Sequence, residues 1–174
     1  DSAYFPRHGQ AFRLSWRGER EALGSSRDAD IVQADWLIAR SHDRYSFVFG
    51  LEGGSALDDE VVSPQQLFTL GGFLKLSGLA SDELAGTQYG LARAILYRRV
   101  SRGGTGFLEF PAYVGVSLET GNTWLTRDDV EFGGLQTAGS LFLAAESPFG
   151  PVYLAGGWGE GGASAFYLLL GRTF

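Results

Sequence analysis

There is no cysteine anywhere in the sequence, which excludes disulfides, thiolate zinc sites and thiol catalysis and leaves the redox character of the compartment open. There is no methionine either, even at position 1; this reads as a processed product or a fragment from which any N-terminal signal has been removed. Basic residues are in deficit, with 14 Lys and Arg against 20 Asp and Glu and a net charge of -6. The electrostatic footprint of a nucleic-acid binder is therefore missing. No window approaches the roughly 18 consecutive apolar residues of a membrane-spanning helix. A helical membrane protein is excluded, but a membrane barrel is not, because its strands alternate and its hydropathy signal is weak. Only two histidines occur, His8 in a strand opener and His42 in a turn, so a triad or an imidazole metal site has little to draw on. Neighbours in a turn such as Ser41, His42 and Asp43 do not form a relay.

What the chain has in excess is glycine, 26 residues, and aromatics, 14%. With so many aromatics and long alternations, the glycines belong to structure and not to disorder. Phe12, Leu14 and Trp16 alternate with Ala11, Arg13, Ser15 and Arg17. Val32, Ala34, Trp36 and Ile38 oppose Gln33 and Asp35, and after a short Ser-His-Asp link Tyr45, Phe47, Phe49 and Leu51 oppose Ser46, Val48, Gly50 and Glu52. The link predicts a hairpin. The rhythm breaks from residue 53 to residue 87, around the apolar island LFTLGGFLKLSGL, and then resumes in Tyr89–Arg99 and Phe107–Glu119. A polar loop with Arg127, Asp128, Asp129 and Glu131 follows, then GSLFLAAES, a Pro148-Phe149-Gly150 turn, PVYLAGGW and a closing FYLLLGRTF. The pattern predicts one all-β domain over residues 1–174, an antiparallel barrel of about eight strands with a long loop at about 53–87.

Alternately short and long connections and a complete apolar face favour a transmembrane barrel. A soluble eight-stranded barrel or sandwich, lipocalin-like and holding an apolar ligand, also alternates and stays open as the competing reading; it would turn its bulky side chains inward. Trp16, Trp36, Trp124 and Trp158 read as interface-belt residues near strand ends, with core packing as the alternative. The glycines of Gly156–Gly162 do not make a phosphate loop, because neither a helix nor a lysine follows; they relieve crowding inside a barrel or mark its bends. Asp58, Asp59 and Glu60 read as a solvated loop face and not as a cation site. No cofactor or metal is expected.

The closing segment, with Phe166, Leu168, Leu170, Gly171 and Phe174, resembles the C-terminal recognition strand of the bacterial surface antigen superfamily, the outer-membrane barrels of barrel assembly and two-partner secretion. ESPFGPVYLAGGW (Glu146 to Trp158) is similar to that superfamily's turn between its last strands. FTLGGFLKLSGL, with Gly71, Gly72, Leu76, Ser77, Gly78 and Leu79, resembles its inward-folded extracellular loop motif. SLETGNTW, with Glu119, Gly121 and Asn122, resembles the later strand motif that faces the loop, and FPRHG (Phe5 to Gly9) resembles a recurring strand opener. Among the branches the loop looks closest to the barrel of patatin-like outer-membrane proteins.

The resemblance implies a bacterial, Gram-negative outer-membrane location and a sixteen-stranded barrel of which this chain is the C-terminal half. It implies a role in anchoring or protein transport for an attached domain, with no catalysis of its own. The implied partners are the lipid bilayer, the barrel-assembly machinery, and either a second copy or a missing N-terminal half with a periplasmic domain. The patatin-type lipase would lie elsewhere, since Gly53-Gly54-Ser55-Ala56-Leu57 fails the G-x-S-x-G nucleophile elbow at its last position. One departure stands out: the superfamily's loop arginine is Ser77 here, and its strand aspartate is Glu119. Since a serine side chain is no planar bidentate donor, Glu119 is expected to turn to Lys75 or Arg93, or to sit in water without a fixed partner.

Overall fold

The computed structural model describes residues 5–19, 29–57, 67–102, 110–171 and 173. Eight long strands form one antiparallel sheet in the order β1 (Gly9–Glu19), β2 (Ala29–His42), β3 (Tyr45–Ala56), β6 (Gln88–Arg102), β7 (Pro111–Trp124), β8 (Gln136–Ser147), β9 (Gly150–Gly159) and β10 (Ser164–Leu170). Inside the connection from β3 to β6, the short strands β4 (Phe68–Leu70) and β5 (Leu84–Gly86) pair only with each other. The fold is all-β and antiparallel, as the alternation predicts.

At one end of the sheet two-residue turns join β2 to β3 and β8 to β9. The first is Asp43-Arg44, one residue beyond the expected Ser-His-Asp link, with Asp43 at φ 52, a left-handed conformation that Asp tolerates. The opposite end carries the long connections, including 57–87 and 125–135.

Two readings differ from expectation. The long connection starts at Leu57 and not at residue 53, because β3 continues through Gly53 and Gly54 to Ala56. Gly54 is there for packing: a Cβ on it would stand 2.6 Å from Cε1 of Tyr89 and 2.8 Å from Cζ of Phe68. Strand β7 is described from Pro111; Phe107, Leu108 and Glu109 lie outside the described residues, as do Asp58, Asp59 and Glu60. Trp36 falls in the middle of β2, opposite Phe12 and Leu51, and so is not a strand-end residue, whereas Trp16, Trp124 and Trp158 do lie toward the long-connection end.

Closure into a barrel by these eight strands is not found. Among the described residues β1 pairs only with β2 and β10 only with β9, so the sheet has two edges. The physical reason is what lies on one face. An eight-stranded barrel has an interior just wide enough for side chains, and here the segment around residues 71–80 already lies against that face. Its residues reach Arg93 on β6, Glu119 on β7, Gly157 on β9 and Tyr167 on β10. At about 4.8 Å per strand, β6 and β10 would stand roughly 19 Å apart in a flat sheet. One short segment touches them all because the sheet curls about it.

The two faces differ sharply. On the outer one, register places Phe47, Leu96, Val116, Leu141, Gly156 and Phe166 opposite one another across six strands. Phe12, Leu14, Trp16, Leu118 and Leu143 extend the same face, and Phe166 and Leu168 are 73% and 72% exposed. The inner face is not simply polar, as a wet barrel interior would be. Phe5, Tyr97, Tyr113, Phe142, Tyr153 and Tyr167 form a buried cluster there, joined by Leu74 and Phe73 from the long connection. Phe5, which precedes β1, is fully buried, stacks on Tyr113 at 4.0 Å between ring centroids and meets Tyr97 edge-on at 5.7 Å. The Tyr97 hydroxyl donates to the Pro6 carbonyl, which fixes the entry of the chain into β1.

Truncating a fully buried aromatic removes its transfer free energy and leaves a cavity, at a cost of about 3–5 kcal/mol. For the chain refolded in detergent micelles, Phe5→Ala should reduce the unfolding free energy by that amount, seen as a lower denaturant midpoint at unchanged m-value by aromatic fluorescence.

Candidate functional site

The long connection folds into a tight double turn on the inner face. Gly71 (φ 124) and Gly72 (φ 100) open it; the Gly71 N–H donates to the Lys75 carbonyl at 2.7 Å and the Gly72 N–H to the Leu79 carbonyl at 3.2 Å. A Cβ on Gly71 would meet the Ala80 carbonyl oxygen at 2.2 Å. Leu74 and Leu76 also have positive φ, 61 and 74, a conformation that costs a bulky residue of order 1–3 kcal/mol and persists only where the surroundings fix it. They do so here through burial: both leucines are fully buried, Leu74 in the aromatic cluster and Leu76 with Leu70, Leu91 and Ala138.

Between the two leucines' backbones, the sheet supplies one cation and one anion. Arg93 of β6 donates to the Leu74 carbonyl at 3.3 Å and pairs with Glu52 of β3 at 2.6 Å. Glu119 of β7, fully buried, accepts from the Ser77 N–H at 2.6 Å and from the Ser77 hydroxyl, 2.8 and 2.9 Å from its two oxygens. The Ser77 hydroxyl in turn accepts the Leu74 N–H at 2.9 Å, closing the turn. Ser117 adds a further donor to Glu119, and its own hydroxyl is bonded to Ser140 at 2.6 Å. A buried carboxylate is costly unless its lone pairs are filled, and these groups fill them.

Glu119 therefore does not turn to Lys75 or Arg93, nor does it sit in water. Lys75 is exposed, and Arg93, although directly opposite Glu119 in register, reaches Glu52. What replaces the arginine fork is a serine using its own backbone: the amide and the hydroxyl of one residue are two donors aimed at one carboxylate, because the positive φ of Leu76 turns the Ser77 amide toward the sheet. The side chain alone would not have done it.

Close contact with β9 and β10 completes the clasp. A Cβ on Gly157 would lie 1.9 Å from the Ser77 carbonyl oxygen, and one on Gly78 would lie 2.2 Å from the Gly159 nitrogen, so both positions need glycine for the backbones to meet. The Tyr167 hydroxyl reaches the carbonyls of Ser77 and Leu79 at 2.9 and 2.8 Å. The motif residues Gly71, Gly72, Leu76, Ser77, Gly78 and Leu79 are thus gathered in one place.

The strand motif is only partly there. Glu119 and Gly121 face inward, but Asn122 points to the other face of β7, where its amide donates to the Gly134 carbonyl at 2.8 Å; it ties the strand to the 125–135 connection and takes no part in the clasp. Of the closing strand, Phe166, Leu168 and Leu170 stand on the apolar face and the Gly171 N–H donates to the Pro151 carbonyl at 2.9 Å, while Phe174 lies outside the described residues.

Sequence reading missed Tyr167, whereas Gly157 falls in the Gly156–Gly162 run read as relieving crowding, and the Ser77 backbone occupies the space beside it. The parity of β10 contains the signal, since within Ser164–Leu170 Tyr167 is the one hydroxyl on the face opposite Phe166 and Leu168. Ser41 and His42 stand on opposite faces of β2: the Ser41 hydroxyl bonds the Arg7 carbonyl and Ser46, and the His42 ring lies 3.7 Å from Asp43 in solvent. Among the described residues no cluster of His, Asp and Glu has the makings of a metal site. The chain matches no protein-family model and no curated protein.

The arrangement positions a loop against the inner face of the sheet. Ser77→Ala combined with Glu119→Gln should show a coupling of about 1–3 kcal/mol in a double-mutant cycle, because each single change strands the other partner in a buried site. Independently, Gly157→Ala should free the loop, read as protease cleavage within residues 71–86 while the long strands keep their hydrogen-exchange protection.

Proposed function

We propose that this chain is the C-terminal part of an outer-membrane β-barrel that anchors, or provides the conduit for, an attached domain. The observation that carries the reading is the pairing of two features on one sheet: an apolar face continuous across all eight strands, and a loop clasped to the opposite face by buried charge. Side chains such as Phe12, Leu118, Phe166 and Leu168 exposed on that scale exceed what an isolated soluble protein leaves to water, whereas lipid is the environment in which they cost nothing. In β-barrels that span membranes the main chain must pair completely, because an unpaired edge in hydrocarbon is prohibitive. The free edges of β1 and β10 run in opposite directions, so further antiparallel strands, from a preceding half of the barrel or from a second copy, can close them. The resemblance to the surface antigen superfamily, with sixteen strands, agrees with that closure, and its patatin-like branch supplies the kind of attached domain. In this reading the barrel-assembly machinery recognises the closing strand through Phe166, Leu168 and Leu170.

A second reading, the soluble barrel that binds an apolar ligand, draws on one observation: the aromatic cluster around Tyr97, Phe142 and Tyr153 fills the inner face as a soluble core does. Refolding separates the two. The chain is refolded into detergent micelles and into plain buffer, and its gel migration is compared with and without boiling. The membrane reading expects a compact, faster-migrating, heat-modifiable species in micelles alone; cooperative folding in buffer to a ligand-binding monomer overturns it. Leu118→Arg should reduce the folded fraction in micelles or vesicles by an amount corresponding to about 2–4 kcal/mol, because it places a cation on the lipid face near mid-strand.

A further inference from the structure

The end of the sheet that carries the two-residue turns is basic, although the chain as a whole is acidic. Arg7, Arg44, Arg98 and Arg99 surround a single concavity of about 550 Å³ together with Asp43 and Tyr45. Four of the chain's 14 basic residues thus meet one carboxylate in one place. The Arg7 guanidinium is spent on the Asp43 carbonyl at 3.1 Å, and that of Arg98 lies 5.4 Å from the centre of the Tyr45 ring. Among the described residues no acidic side chain pairs with Arg44, Arg98 or Arg99. Opposite signs gather at the far end, where Asp82, Glu83, Asp128, Asp129, Glu131 and Glu160 lie in the long connections.

Register links this basic site to the apolar face. Tyr45, Arg98 and Val114 form one outward row, and one pair of residues further along the strands Phe47, Leu96 and Val116 form the next. Phe47, Leu96 and Val116 are each 45% exposed. Arg98 is therefore stacked directly below an open apolar surface with the Tyr45 ring at the boundary, and Arg44 and Arg99 join it around the concavity. The ligand chemistry that meets both is a molecule with an anionic phosphate head and hydrocarbon chains: arginine forks match phosphate oxygens, and Tyr rings favour the boundary between apolar and wet phases.

We propose that Arg44, Arg98 and Arg99 form a headgroup site for an anionic phospholipid whose acyl chains lie along Phe47, Leu96 and Val116. The site rests on the membrane reading above and adds a lipid class and a side of the barrel to it. It also sets orientation, since the basic end is held at the headgroup layer while the acidic connections are kept from it.

The test uses the full chain folded in neutral detergent, with short-chain phosphatidylglycerol, phosphatidylcholine and inorganic phosphate each added as ligand, and bound lipid counted by native mass spectrometry. Phosphatidylglycerol should be retained in preference to phosphatidylcholine, the preference should fall about fivefold for each arginine replaced in Arg44→Gln and Arg44→Gln/Arg98→Gln/Arg99→Gln, and salt should weaken it. Arg127→Gln at the opposite end should not change it. Should the triple variant fold poorly, Arg44→Gln alone, in an exposed turn, carries the comparison. Equal retention of the two lipids, a preference that survives the arginine replacements, or protection by inorganic phosphate equal to that by phosphatidylglycerol would overturn the proposal. Failure of the chain to fold in detergent at all would instead overturn the membrane reading, so the two are distinguishable.

Discussion

Everything on the inner face depends on where one carboxylate finds its donors. Glu119 is fully buried, and a buried carboxylate that lacks partners costs more than a strand can repay. The partners come from a turn that has no stability of its own, with two leucines in the left-handed region. Each half of the arrangement is unfavourable alone. Together the strained turn presents an amide and a hydroxyl to the carboxylate, and Arg93 takes the carbonyl at the turn's other end. The turn is held between opposite charges along its own dipole, which is why it sits in one orientation and why the sheet must curl to keep four strands in touch with it.

The aromatic cluster extends the same logic. Leu74 leaves the charged clasp and enters the cluster of Phe5, Tyr97, Tyr113, Phe142 and Tyr153, so the polar anchor and the apolar core share a residue. The chain entering β1 seals that core from below through Phe5. Bulky groups thus occupy both faces of the sheet for different reasons: on one they meet each other and the loop, and on the other many of them, Phe12, Leu118, Phe166 and Leu168 among them, stand exposed.

Much of the architecture was legible in the residues. Period-2 alternation in segments such as Phe12–Trp16 and Val114–Leu118 fixed strand type and facing, because side-chain direction in a strand follows from parity alone. Parity also predicts that Glu119 and Ser117 share a face. It fails where glycine stands in for an apolar residue: Gly53 and Gly54 look like a loop and are strand, and the side-chain space at Gly54 is taken by Tyr89 and Phe68 from elsewhere in the chain. Contacts of that range have no local signature. The same holds for Ser77. Judged by its side chain it is a poor substitute for arginine, and its adequacy comes from a backbone amide that only the fold orients. Phe5 and Tyr167, too, differ from ordinary strand residues only in what they meet.

The opposed directions of the β1 and β10 edges bear on the order of events as much as on the final shape. Each edge presents a row of amide and carbonyl groups that water can satisfy and hydrocarbon cannot. Under the membrane reading proposed above, these eight strands could not cross into the membrane core until both edges were joined. Completion of the seam would then gate insertion, with the loop clasp already set on one face of the sheet.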